Sequence, residues 1–173
     1  RSDQSEANQW VLRYDSALIC PESCVLQFIY SQLIRLLLPF ILLRLWWHGR
    51  RAPELRRNWF QRLGLVPVAS GSVVWVHAVS VGETIAAAPM VRRLLARSPD
   101  ITILMTAMTD TGLAQARKLF GDQVRYAYAP YDTPGAIRRF LGRVNPRILV
   151  IMETEIWPNM IRQCRARRVP VFL

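Results

Sequence analysis

The chain has 173 residues, 51% of them hydrophobic, which is ample for a packed core and excludes a disordered protein. Its formal charge is +11, carried by 22 arginines and Lys118, which suits nucleic acid, an anionic membrane or a phosphorylated ligand as partner. Cys20, Cys24 and Cys164 form no C-x-x-C pair, so neither a zinc site nor a disulfide framework is indicated.

Residues 1–24 are mixed and polar, with no basic n-region ahead of a short apolar core and no small-residue cleavage site, which argues against a secretory signal. They are expected to form a weakly ordered extension. A start at Arg1 and a finish on the apolar run VPVFL read as a piece of something longer.

Residues 25–47, VLQFIYSQLIRLLLPFILLRLWW, carry only Arg35 and Arg44 as charges. As a helix they extend about 34 Å at ~1.5 Å per residue, enough to cross a bilayer. Each arginine costs about 2.5–3.5 kcal/mol near the bilayer centre, and their spacing sets them on opposite helix faces, so no single polar stripe is expected. A spanning or deeply inserted anchor is the favoured reading; a helix docked in a protein groove or lying at the interface is the alternative. Trp46 and Trp47 suit the headgroup level, and Arg50, Arg51, Arg56, Arg57 and Arg62 follow, which puts the C-terminal side in the cytoplasm. Residues 48–70 are read as a basic juxtamembrane segment and connector.

From residue 71 the pattern alternates. Apolar, β-branched runs at 73–77, 101–106, 124–128, 147–152 and 169–173 are separated by helix-like stretches at about 83–97, 111–120, 134–143 and 158–167. Continuous rather than alternating apolar strands imply burial on both faces. The expected fold is therefore α/β: a Rossmann-like parallel sheet flanked by helices, occupying 71–173.

In such sheets ligands collect beyond the carboxyl ends of the strands. HAVSVGE (77–83), TAMTDTG (106–112), YAPYDTP (128–134) and METEIWP (152–158) fall there. Helix capping alone accounts for much of this polarity: Ser80 with Glu83 is a capping box, Thr109 or Asp110 can open the second helix, and Asp132 with Pro134 the third. Capping does not explain Gly82, His77 at a strand end, or Glu153 and Glu155 beside a buried strand. No G-x-G-x-x-G follows the first strand and no P-loop motif occurs, so dinucleotide and NTPase readings lose their main support. With no H-E-x-x-H and no Cys/His cluster, no metal or cofactor is expected. The basic segment lacks an aromatic stacking face and fits anionic headgroups better than nucleic acid.

RLWWHGRRAPELRRNWFQRLG, HAVSVGE, TAMTDTG and YAPYDTPGAIRRFLGRVNPRILVIMETEIWPN, in this order, closely resemble the 3-deoxy-D-manno-octulosonic acid (Kdo) transferases of Gram-negative bacteria, over about residues 25–173. The resemblance implies a GT-B glycosyltransferase with two Rossmann-like domains facing a cleft, the N-terminal one binding lipid A precursor and the C-terminal one CMP-Kdo, at the cytoplasmic face of the inner membrane. It implies that Ser80, Gly82, Thr109, Thr111 and Gly112, with Arg56, Arg57 and Arg62, serve the acceptor, and that Glu83, Glu153 and Glu155 supply acid–base or orienting groups. Inverting transfer to a hydroxyl needs a base for its proton, and carboxylates at a cleft suit that demand.

The chain departs from this family twice. The family pattern resembles W-G-E-R-[FY]-G, whose glutamate is the general-base position, whereas this sequence reads Trp59-Phe60-Gln61-Arg62-Leu63-Gly64, and an amide cannot accept that proton. The family is also more than twice as long, and the donor-binding half is absent from these residues, so the chain alone is expected to be inactive. Two other readings stay open: a non-catalytic, membrane-tethered Rossmann-like binding module, and a GT-B enzyme using another nucleotide sugar.

Overall fold

The computed structural model describes residues 21–48, 58–69, 71–152 and 157–173, with the side chains of 21–24, 45, 46 and 48 left aside. Helix α1 (Pro21–His48) precedes a 3-10 turn over Trp59–Leu63. Then follow β1 (Ser72–His77), α2 (Val81–Arg97), β2 (Ile101–Ala107), α3 (Asp110–Phe120), β3 (Arg125–Tyr128), α4 (Pro134–Val144), β4 (Pro146–Ile151), α5 (Pro158–Ala166) and β5 (Val171–Phe172). The strands form one parallel sheet in the order β3-β2-β1-β4-β5. This is the Rossmann-like layout, and the strand order reverses between β1 and β4, where such folds open a crevice.

Strand periodicity assigns the two faces. Val73 and Trp75 of β1 point to the side of α4 and α5, where they meet Leu104, Phe140, Leu149 and Met160. Val76 points the other way, into Ala87, Val91, Met105, Ala116 and Phe120 under α2 and α3. Trp75, fully buried, packs its ring 4.5 Å from that of Phe140 and donates its indole N–H to Thr106 Oγ1 at 2.8 Å, so its polar atom is satisfied at the centre of the sheet.

The helix starts follow local chemistry. Ser80 accepts from the Glu83 N–H, Thr109 from the Gly112 N–H and Thr133 from the Ala136 N–H, each capping the helix behind it. Asp132 was the sequence-based candidate for opening the third of these helices; Thr133 takes that place, and Asp132 is redirected to α5. At Gly64 the backbone has φ +81°, and a Cβ there would stand 2.1 Å from the Ala136 carbonyl oxygen. Only glycine lets the turn lie this close to α4.

Candidate functional site

The carboxyl ends of the strands bring the polar segments together through backbone hydrogen bonds. The Ala78 N–H donates to Thr106 O and the Met108 N–H to Val79 O, tying the segment after β1 to the one after β2. The Ala129 N–H donates to Ala107 O, adding the segment after β3, and the Met152 N–H donates to His77 O, adding the segment after β4. Ser80 and Thr109 thus share one rim. Met152, the residue before Glu153, is bonded to the end of β1 on the same rim. Glu153 and Glu155 themselves, like Arg56 and Arg57, lie outside the described residues.

On the first rim segment Ser80 and Gly82 are exposed and Glu83 is buried. Glu83 Oε2 accepts the Val79 N–H at 2.6 Å while its own N–H donates to Ser80 Oγ at 3.3 Å. The carboxylate closes the turn into α2, a capping-box role with its reach shifted by one residue. Behind it, His77 is fully buried, with Nδ1 2.9 Å from Thr106 Oγ1. Thr106 Oγ1 also accepts from Trp75, so one hydroxyl joins the indole and the imidazole inside the sheet, with the roles of Nδ1 and Oγ1 following the imidazole tautomer. Nε2 has no partner among the described residues, and the Trp157 ring stands edge-on at 5.0 Å. Burial pushes the imidazole pKa down to about 4, so His77 is neutral at physiological pH.

Gln61 and Arg62 join this rim from the turn ahead of β1. Gln61 Oε1 accepts the Tyr128 N–H at 2.8 Å, continuing β3 where the sheet ends. Arg62 was read from sequence as one of a run of juxtamembrane charges, yet it is 6% exposed. Its guanidinium lies 4.3 Å from the centre of the Tyr128 ring and 5.9 Å from that of Tyr131. Stacking on two tyrosines compensates for lost water, a use the flat, weakly hydrated guanidinium suits better than an ammonium would. Burial raises the Tyr131 phenol pKa, with Arg62 opposing the rise. The Tyr128 hydroxyl donates to Asp110 Oδ1, so one tyrosine links the Gln61 turn to the Thr109–Gly112 segment.

The next connection could not be read from spacing. Asp132 is buried, with Oδ1 accepting the Met160 N–H at 2.7 Å and Oδ2 the Asn159 N–H at 3.0 Å. These are the first free N–H groups of α5, whose N-cap residue Trp157 makes no side-chain cap; Asp132 caps it from a distant part of the chain. Burial raises the Asp132 pKa, opposed chiefly by those two N–H groups. The same carboxylate accepts from the Tyr30 hydroxyl of α1 at 3.0 Å. Ser31 Oγ donates to Asn159 Oδ1 at 3.0 Å, and Gln27 Nε2 donates to Pro158 O at 3.1 Å. Spaced i, i+3 and i+4, these three form a polar stripe on one face of α1. This corrects the expectation of no polar stripe, which counted only the arginines. The spacing of Gln27, Tyr30 and Ser31 was visible in the sequence, whereas the partner surface was not.

Two rim glycines differ in kind. A Cβ at Gly112 would lie 3.0 Å from Thr109 Oγ1 and 3.1 Å from Ala107 Cβ, so internal packing explains that glycine. A Cβ at Gly82 would meet nothing nearer than Ser80 Oγ at 3.8 Å, and nothing inside the fold requires glycine there. Thr111, exposed, has its hydroxyl 3.3 Å from that of Thr109 and extends the same polar edge.

An open parallel sheet with a polar rim at its switch point, and an apolar helix fastened beside that rim, defines a Rossmann-like α/β domain associated with a lipid-compatible helix. Residues 57–173 match the family model described as 3-deoxy-D-manno-octulosonic-acid transferase (kdotransferase). The 3-deoxy-D-manno-octulosonic acid transferase of Bordetella pertussis is 42% identical over 158 residues, covering 84% of this chain and 36% of the relative. That of Haemophilus influenzae is 37% identical, covering 83% and 34%. A probable mitochondrial 3-deoxy-D-manno-octulosonic acid transferase of Arabidopsis thaliana is 38% identical, covering 78% and 31%. The chain belongs to the Kdo transferase family, and it spans about a third of the length of these relatives.

Proposed function

We propose that this chain is the acceptor-binding part of a membrane-associated GT-B glycosyltransferase that moves Kdo from CMP-Kdo onto a hydroxyl of a lipid A precursor, with inversion, at the cytoplasmic face of the inner membrane. The observation that carries this reading is the fastening of apolar α1 to the rim through Tyr30–Asp132 and Ser31–Asn159, on the loop whose next residue, Tyr131, meets Arg62. An acceptor held by its acyl chains beside α1 would present its sugar to the rim, and positive charge near that surface would draw its phosphates.

Ser80, Gly82, Thr109 and Thr111 line the edge offered to the acceptor, with Gly112 allowing their close packing, and Arg56 and Arg57 serve the phosphates. The buried Arg62 positions Tyr128 and Tyr131. In the transfer, the acceptor oxygen bonds to the anomeric carbon of Kdo as the bond to the CMP phosphate breaks, and a base takes the hydroxyl proton. Gln61 stands at the family's general-base position. Its amide oxygen is held by the Tyr128 N–H and suits orientation of the hydroxyl rather than removal of its proton. Glu83 has one oxygen committed to the Val79 N–H, which leaves Glu153 or Glu155 as the better-suited base.

Gln61 favours a second reading, a membrane-tethered binding module without catalysis. Complementation of a Kdo transferase-deficient strain by the full-length gene separates the two. Growth supports the enzyme, and no growth from a stably expressed protein overturns it. In the same full-length protein Gln61→Glu should raise turnover; no gain removes the idea that the amide at this position lowers activity. The 173 residues alone should show no CMP-Kdo binding in calorimetric titration.

A further inference from the structure

Helix α1 is long and apolar enough to cross a membrane: Val25–Arg44 has a mean hydropathy of 1.7, and only 6% of the window is buried. The structure constrains where its two ends can be. On one side, Tyr30 bonds Asp132. On the other, the chain returns to the next residue of the same loop, where the Tyr131 N–H donates to Arg62 O at 2.8 Å and the Arg62 guanidinium lies over the Tyr131 ring. The excursion from Ser31 to Gln61 therefore leaves and re-enters the domain at one place.

Chain length then decides the topology. From Ser31 to His48 a helix advances about 26 Å at ~1.5 Å per residue, short of the ~30 Å hydrocarbon core even if upright. The return from His48 to Asn58 reaches at most about 33–36 Å when fully extended. To bring the chain back from the far side, residues 49–57, GRRAPELRR, would have to cross the core as unpaired backbone with four arginines. Each unsatisfied backbone group there costs several kcal/mol, and each arginine near the centre about 2.5–3.5 kcal/mol.

We infer that α1 is a monotopic anchor: residues 33–47 sink into the near leaflet only, and both ends of the helix stay on the side of the sheet domain. The inference rests on the membrane reading proposed above and replaces the spanning helix expected from sequence. Its occupant is the acyl region of that leaflet. Leu33, Leu36, Leu37, Phe40, Ile41, Leu43 and Trp47 are exposed along one side of the helix, and Ile34, Leu38 and Leu42 on the other side are half-buried, so the segment is apolar all round, which suits submersion in acyl chains. Arg35, whose guanidinium donates to Gln32 at 3.3 Å, and Arg44 have stems long enough to carry their charges back to the headgroups. A helix that dips and returns also keeps the rim at the membrane surface, because the Tyr30–Asp132 bond is made within the rim itself.

The test uses the full-length protein in inner membranes, with Cys20 as the sole cysteine in one variant and Arg51→Cys as the sole cysteine in another, all others being serine. Each is labelled with a membrane-impermeant maleimide in right-side-out spheroplasts and in inverted vesicles. The expected result is that both reporters react in inverted vesicles and neither reacts in intact spheroplasts, while alkaline carbonate leaves the protein in the membrane fraction. Labelling of Cys20 in spheroplasts overturns the monotopic topology but leaves membrane association intact. Release of the protein by carbonate overturns both.

Discussion

Helix α1 and the four helices of the sheet domain are drawn from much the same apolar residues and treat them in opposite ways. In α2 to α5 one stripe is spent on the sheet: Ala87, Ile137 and Met160 are fully buried. In α1, Leu26, Leu36 and Phe40 are 67–68% exposed, and the attachments to the domain are hydrogen bonds from Gln27, Tyr30 and Ser31. Apolar packing holds the domain together and leaves only scattered apolar side chains such as Ile85 exposed on its helices. Polar docking holds α1 in place while leaving its apolar surface exposed; under the membrane reading proposed above that surface meets lipid, where each large side chain is worth about 1.5–3 kcal/mol on burial.

The sharpest way to break this division is a pair of truncations. Trp75→Ala should lower the stability of the domain by about 3–5 kcal/mol in urea unfolding, because it empties the centre of the sheet. Phe40→Ala should change it by no more than about 0.5 kcal/mol while weakening partition onto phosphatidylglycerol vesicles. Comparable losses of stability would mean that α1 is part of the core.

Acid should divide the regions next. His77 holds its proton only near pH 4 when folded and near 6.5 when unfolded. As pH falls through 6.5 the unfolded state takes up the proton first, so stability declines between 6.5 and 4 by up to about 3 kcal/mol. His77→Leu should flatten that part of the curve in equilibrium unfolding measured against pH. An unchanged slope would assign the acid sensitivity to other groups.

The smallest effect lies at the junction. Tyr30→Phe removes one hydrogen bond to Asp132, which keeps its two from α5, and should cost about 1 kcal/mol. Amide exchange across residues 25–31 should quicken about five-fold while exchange in β1 stays unchanged. Equal quickening in both would make the clasp a support of the whole fold.

Much of the architecture could be read from residue order. Strands buried on both faces announce themselves as unbroken runs such as ITILMT, and Ser80 and Thr109 mark their helices because an N-cap acts within three residues. Observed ends differ from the expected ones by a residue or two at most positions; β5 is confined to Val171–Phe172 at the sheet edge. Asp132 was misplaced because its side chain can cap either its own helix or another, and local sequence does not say which. Arg62 looked like a surface charge because the two tyrosines that shelter it lie 66 and 69 residues downstream. The two rim glycines looked alike until the space around each could be measured.

The sequence by itself determined the parallel α/β class, the family, the polar rim and an apolar helix long enough for a membrane, since all of these depend on periodicity, composition or contiguous motifs. Tertiary structure alone decided that Asp132 caps α5, that Arg62 is buried, and that both limbs around α1 meet at Tyr131 and Asp132. Those are contacts between residues tens to more than a hundred positions apart, and only the folded path of the backbone brings such groups within hydrogen-bonding distance.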